Sequence, residues 1–152
     1  MAGYDIQTFD TLMTAISFIV GAMVGSFLNV CVYRLPKGES IVKPRSRCPK
    51  CENAIVWYDN IPMVSWLLLG AKCRHCKTPI SWQYPLVEAI TAALFAAVYV
   101  RYGFTIASPV YMLLSAGLVL VTFVHLTDWK IPNEVALPGI PLDLGCAPVA
   151  TF

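Results

Sequence analysis

Between Asp10 and Arg34 the chain carries no charged residue, and the run TLMTAISFIVGAMVGSFLNVCVY lies inside that interval. Roughly 20 apolar residues are enough to cross a bilayer as a helix. A chain with such a segment must either bury it in a large core or place it in lipid. A retained span is the better reading than a cleaved secretory signal, on two grounds. Asp5 and Asp10 stand where a signal would carry basic residues, and the apolar stretch is too long. A retained transmembrane span from about Phe9 to Tyr33 is therefore expected.

Two further apolar blocks follow. One starts at Tyr84-Pro85 and runs to Arg101, and the other runs from about Ile106 to Leu126. The connector with Arg101, Tyr102 and Gly103 suits a helical hairpin in the membrane. Composition fits this reading: 57% of the 152 residues are hydrophobic, 13% are charged, and the mean hydropathy is +0.64. A soluble domain usually carries about twice that share of charge.

Orientation follows from the basic residues. Of the eleven Lys and Arg, only Arg101 and Lys130 lie outside the interval from Arg34 to Lys77. The positive-inside rule places that loop in the cytoplasm and the N-terminus outside. A net charge of +2 is too small to suggest nucleic-acid binding; topology and anionic headgroups of the lipid bilayer explain the basic loop better.

Within the loop, Cys48-Pro-Lys-Cys51 and Cys73-Arg-His-Cys76 form two Cys-x-x-Cys knuckles. Four thiolates in such a pattern match a zinc ribbon with one tetrahedral ion. Each knuckle aims two sulfurs at one point, and the metal supplies folding free energy that a polar loop lacks. Disulfides and unligated thiols are the alternatives. A cytoplasmic location disfavours the former. His75 lies inside the second knuckle and decorates the loop. Cys31 and Cys146, in apolar surroundings, read as small core residues.

The expected fold is therefore an all-α integral membrane protein with about three transmembrane helices and a cytoplasmic four-cysteine zinc-ribbon loop. Residues 1–34 hold the N-terminal segment and first helix, and 35–82 the zinc-binding loop. Residues 83–131 hold the helical hairpin and 132–152 a tail.

Several stretches then resemble one family in one register over roughly residues 15–141. They are Gly25-Ser-Phe-Leu-Asn-Val-Cys-Val-Tyr-Arg-Leu-Pro36, the first knuckle, Asn60-Ile-Pro-Met-Val-Ser-Trp66, Gly70-Ala-Lys-Cys-Arg-His-Cys76, Pro79-Ile-Ser, Tyr84-Pro-Leu-Val-Glu88 and Ile131-Pro-Asn-Glu-Val-Ala-Leu-Pro-Gly139. On these the chain is identified as similar to the N-terminal half of bacterial prepilin leader peptidases/N-methyltransferases. The resemblance implies a multi-pass enzyme of the bacterial inner membrane. Such an enzyme cleaves the basic leader of type IV prepilins and pseudopilins, then methylates the new N-terminus with S-adenosylmethionine. It also implies two aspartates on different spans, the second in Gly-x-Gly-Asp, sharing a water as base and acid.

The sequence departs from that pattern at the carboxylates. The family's first aspartate position, seven residues before Pro132, holds His125, and the second position of that run holds Thr127. The nearby carboxylate is Asp128. It shares a helix face with His125 but lies about 4.5 Å further along the axis. Gly-x-Gly-Asp is absent, and the tail from Leu142 is too short and interrupted to span. The expectation is a truncated member without a complete aspartyl dyad, with Asp128 as its candidate catalytic residue. The rivals are a non-catalytic pilin-binding or assembly module, and one half of a split peptidase whose missing C-terminal spans come from a second membrane chain. Ala71 stands where the family has a glycine linked to methyl transfer, with Gly70 shifted by one. Alanine does not easily take positive φ. No glycine-rich methyl-donor motif occurs, so an S-adenosylmethionine site follows from resemblance alone.

Four other positions carry expectations. Gly21-x-x-x-Gly25 suits close helix packing. Asn29, an amide within a span, calls for a partner on another helix. Glu88 enters the second span near its N-terminus, where the helix dipole favours a carboxylate; an ionisable group within a span is equally a functional candidate. Glu39 is a loop carboxylate that could meet a cationic leader, though a solvated side chain is the plainer reading.

Overall fold

A computed structural model describes residues 6–43, 46–48 and 50–128. Its first helix, α1, runs Ile6–Arg34 and is followed by a 3-10 turn, Leu35–Lys37. A second 3-10 turn, Trp57–Asn60, and the short helix α2, Val64–Leu68, lie in the loop. The hairpin consists of α3, Gln83–Tyr102, and α4, Ala107–Asp128. Three of the helices are long and apolar enough to cross a membrane, as the charge-free blocks require. Among the described residues there are no extended strands, only isolated antiparallel bridges within the loop.

Glycine spacing sets how α1 meets α3. A Cβ on Gly25 would lie 2.7 Å from the Glu88 Cα, and one on Gly21 would lie 2.8 Å from the Ala92 Cα. Those distances are below any real contact, so the two backbones cross where the side chains are missing. The small-residue stripe thus packs as expected. Thr91, fully buried beside this seam, satisfies its hydroxyl on the Val87 carbonyl at 2.7 Å.

The third side of the bundle is α4. Val119, Leu120, Phe123 and Val124 close a core with Leu28, Cys31 and Val32 of α1 and Val87 and Phe95 of α3. Cys31 is a packed core residue, as its surroundings indicated; Cys146 lies outside the described residues. At the end away from the loop the turn between α3 and α4 is aromatic. Tyr102 stacks on Tyr111 at 4.6 Å, and Phe104 meets both Phe9 and Tyr99. Amphipathic rings at one level suit a membrane–water interface.

Helix ends are set by local chemistry. Pro36 cannot continue α1, and Gly38 takes the left-handed conformation at φ 65°, donating its N–H to the Leu35 carbonyl. Arg34 folds back and donates from Nη1 to the Ser40 carbonyl at 2.8 Å. At the start of α3, Asn29 of α1 donates from Nδ2 to the Tyr84 carbonyl at 3.0 Å. This is the interhelical partner that a polar amide in a span demands.

The seam yields a paired test. Gly25→Leu forces α1 off α3 and should cost about 1–3 kcal/mol, the usual penalty for overpacking. Gly117, which has open space where its Cβ would be, should gain up to about 1 kcal/mol on substitution by Ala. Thermal unfolding of the two variants in detergent measures both; equal effects would contradict the packing described.

Candidate metal centre and the cleft beneath it

The two knuckles are built alike, residue for residue. In the first, Cys48 donates its N–H to the Asn53 carbonyl, Glu52 donates to the Cys48 carbonyl, and Ile55 donates to the Ser46 carbonyl. In the second, Cys73 donates to Thr78, Lys77 to Cys73, and Ile80 to Ala71. Both place a non-glycine residue in the left-handed region one position after the second cysteine, Glu52 at φ 56° and Lys77 at φ 57°. One bridge closes each, Arg47 to Ala54 and Lys72 to Pro79. The chain thus turns tightly enough, twice, to point paired sulfurs the same way.

All four sulfurs, of Cys48, Cys51, Cys73 and Cys76, lie within 4.8 Å of one another. The Cys48 and Cys76 sulfurs are 3.7 Å apart, and the described cysteines are all unpaired thiols. Zinc–sulfur bonds of about 2.3 Å in a tetrahedron put the sulfurs about 3.8 Å apart. The donor set therefore fits a zinc ion. Protons are shared unevenly among the thiols. The Thr78 hydroxyl and its backbone N–H draw Cys76 down to about 6. At Cys51 the Asn53 N–H pulls the same way, yet desolvation and the neighbouring sulfurs carry it up to about 11. Four thiolates this close cannot all ionise without a cation among them.

An ion pair fastens the second knuckle to the middle of the loop. Arg74 grips Asp59 with two hydrogen bonds of 2.7 and 2.6 Å, and its guanidinium lies 5.5 Å from the Tyr58 ring. The guanidinium holds Asp59 below the usual carboxylate range. Trp66 donates its indole N–H to the Ile80 carbonyl at 3.2 Å, and Ser65 donates its hydroxyl to the Tyr58 carbonyl at 2.7 Å.

Glu88 is the deepest connection. It is 7% exposed, and its Oε2 accepts the Met63 backbone N–H at 2.7 Å. Met63 itself sits at φ 57°, ψ −45°, a sparsely populated region for a side-chain-bearing residue. The Ser26 side chain of α1 reaches the same carboxyl. Glu88 lies five residues into α3, beyond the first turn where a helix dipole acts; its carboxylate instead holds the turn before α2 against the helices. The apolar turn Asn60-Ile-Pro-Met63 gives no hint of a carboxylate partner, so the sequence alone did not pair them.

Below the sulfur cluster a cleft of about 550 Å³ opens between the knuckles, the end of α1 and the start of α3. Glu39, Glu52, Asp59 and Glu88 reach it, as do Arg34 and Tyr84. His75 also faces it. Glu39 is exposed. No described residue of α4 lines this cleft. His125 is exposed near the end of α4, and Asp128 is the last residue of that helix. The same end of the bundle carries the loop, because α1, α3 and α4 alternate in direction.

The stretch that builds this arrangement lies within the part of the chain that matches a known family. Residues 19–102 match the family described as Bacterial Peptidase A24 N-terminal domain. The chain belongs to that family. Among its relatives is a prepilin leader peptidase/N-methyltransferase of Myxococcus xanthus, 46% identical over 87% of this chain and 39% of the relative. Proteins of the same name from Neisseria gonorrhoeae and Pseudomonas aeruginosa are 34% and 36% identical over 92% and 84% of this chain. The chain spans about half the length of these curated relatives, 57% and 52% for the latter two. No solved structure matches it.

Ala71 occupies the left-handed region at φ 58°, directly after Gly70 at φ 58°. Its N–H closes the turn after α2 on the Trp66 carbonyl at 2.9 Å. The backbone thus keeps the glycine-like shape and places an alanine in it, at a cost of about 1–2 kcal/mol. Ala71→Gly should therefore raise the stability of the loop by about 1 kcal/mol. Hydrogen exchange at Cys73 and Ile80 measures it, and no change would mean that the strain is relieved elsewhere.

Proposed function

We propose that the chain is the loop-bearing part of a prepilin leader peptidase/N-methyltransferase of the bacterial inner membrane. In this reading it engages type IV prepilins or pseudopilins at the cytoplasmic face. The observation that carries the proposal is the sulfur cluster held over a carboxylate-lined cleft at the membrane end of α1 and α3. It occurs in a chain whose relatives bear that name.

Zinc held by Cys48, Cys51, Cys73 and Cys76 is structural in this scheme: with four protein ligands no position stays open for a substrate. The ion would cross-link the two knuckles. The cleft below is then a rigid pocket, with Glu39 and Glu88 available to a cationic leader or to the new amine. Methyl transfer from S-adenosylmethionine needs that amine neutral and aimed at the methyl carbon. Burial of a carboxylate beside it can position the group and accept the proton released.

Peptide cleavage makes a different demand. An aspartyl mechanism needs two carboxylates around one water, one ionised and one protonated. Asp128 ends α4 at the proper end of the bundle, but one carboxylate cannot fill both roles. Among the described residues Asp128 is the aspartate at that end, so we read this part of the protein as its binding and methyl-transfer surface. No observation favours a second chain that completes the dyad.

Two measurements test this. The purified chain should carry about one zinc by elemental analysis, lost in Cys48→Ser and Cys73→Ser together with the loop's protection from proteolysis. In detergent it should methylate a pre-cleaved pilin but leave an intact prepilin uncut. Cleavage abolished by Asp128→Ala would overturn the view of the protease half, and failure to methylate would leave a pilin-binding module.

A further inference from the structure

Asp59 is the only charged residue between Glu52 and Lys72, and its charge is matched by Arg74 at 2.6 Å. The segment Ile55-Val-Trp-Tyr-Asp-Asn-Ile-Pro-Met-Val-Ser-Trp-Leu-Leu-Leu69 is otherwise almost wholly apolar. It does not bury that surface within the chain. Trp57 is 81% exposed, Leu67 70% and Leu68 82%. A water-facing loop that shows so much apolar surface needs something to cover it.

Two contacts say what lies beside it. The first is the Glu88 bond to the Met63 N–H. Glu88 lies five residues beyond Gln83, where α3 begins, or about 7.5 Å along the axis. Met63 is therefore docked alongside a membrane-spanning helix and not above it. The second is a groove of about 560 Å³ shared by the loop and α1. Trp57, Ile61 and Val42 line it on one side, and Ile19, Met23 and Phe27 on the other. Those three residues of α1 point outward from the bundle and belong to its uncharged run. Phe27 lies seven residues before Arg34, about 10 Å deeper along the helix.

We infer that residues 55–69 form an interfacial segment inserted among the headgroups and upper acyl chains of the leaflet on the loop side. Two short helical turns broken at Pro62 are too short to span, and an apolar run of this length suits a re-entrant or interfacial element. Backbone exposed at such depth must be satisfied by protein. Here the Glu88 carboxylate accepts the Met63 N–H, and the Ser65 hydroxyl donates to the Tyr58 carbonyl. Trp82, 68% exposed immediately before α3, marks the same interfacial level. The lipid itself covers Trp57, Leu67 and Leu68. The inference depends only on the membrane-spanning helices and stands apart from any enzymatic activity.

Quenching depth tests it. The full chain is reconstituted in phosphatidylcholine vesicles, with and without lipid brominated at the headgroup end of the acyl chains. Emission due to Trp57 is the difference between the native chain and Trp57→Phe. A second reporter, Leu68→Trp in the Trp57→Phe background, reads the end of α2, and circular dichroism checks that each variant retains its helices. Brominated lipid is expected to remove most of the Trp57 emission and most of the emission that the Leu68→Trp substitution adds. Undiminished emission overturns the inference. Aqueous iodide then tells which alternative holds: quenching means a water-facing loop, and no quenching means that another protein surface, such as a second copy of this chain, covers the segment.

Discussion

The close approach of α1 to α3 at Gly25 governs the rest of the molecule. With no Cβ in the way, the α3 backbone passes directly against α1 at Glu88. That crossing brings the C-terminal end of α1 next to the N-terminal end of α3. The two ends of the long intervening loop are thereby brought together. Closing a loop costs entropy that grows only slowly with length, so one good helix pair can support a large insertion. It also sets where Glu88 stands, and through Glu88 where the strained turn at Met63 is pinned.

From that anchor the loop is assembled in a chain of dependencies. Met63 positions α2, and α2 delivers Trp66 to the Ile80 carbonyl behind the second knuckle. Asp59, in the turn before α2, meets Arg74 within that knuckle. The second knuckle is thus located by two ties, Trp66 to Ile80 and Asp59 to Arg74, and it shares the sulfur cluster with the first. Asp59–Arg74 is partly exposed and is worth little alone; its value lies in orienting the knuckle that carries it. The near-identical backbone of the two knuckles then explains how one turn, used twice, can present a closed set of donors.

The membrane helices and the cysteine cluster were both legible in the sequence, for different reasons. A span is announced by absence of charge over a fixed length, as between Asp10 and Arg34, and nothing outside the run can alter that requirement. The cysteines are announced by residue type and local spacing, and Cys48-Pro-Lys-Cys51 carries its turn within four residues. Asn29 and Gly25 were also readable, since a buried amide needs a partner and a small-residue stripe needs a neighbour. The Glu88–Met63 bond was not. It joins a side chain to a backbone group 25 residues away, and a backbone N–H leaves no trace in residue identity. Treating all of residues 35–82 as a polar loop hid the apolar character of Trp57 to Leu69, because the flanking lysines and arginines dominate the average.

Position relative to the bilayer decides what chemistry the cleft can serve. Glu39 and Glu88 both line it, one from the exposed loop and one from within a spanning helix. A charge bound near Glu39 remains in contact with water and is screened; a charge bound near Glu88 is shielded by helices and loop and is felt strongly. A cationic group would therefore be drawn along a gradient from weak to strong attraction as it moves inward. The apolar groove between the loop and α1 shares Ser26 and Arg34 with the cleft. An apolar space and a polar one thus adjoin at the same residues of α1. On the function proposed above, that junction is where a ligand apolar on one side and charged at its end would sit.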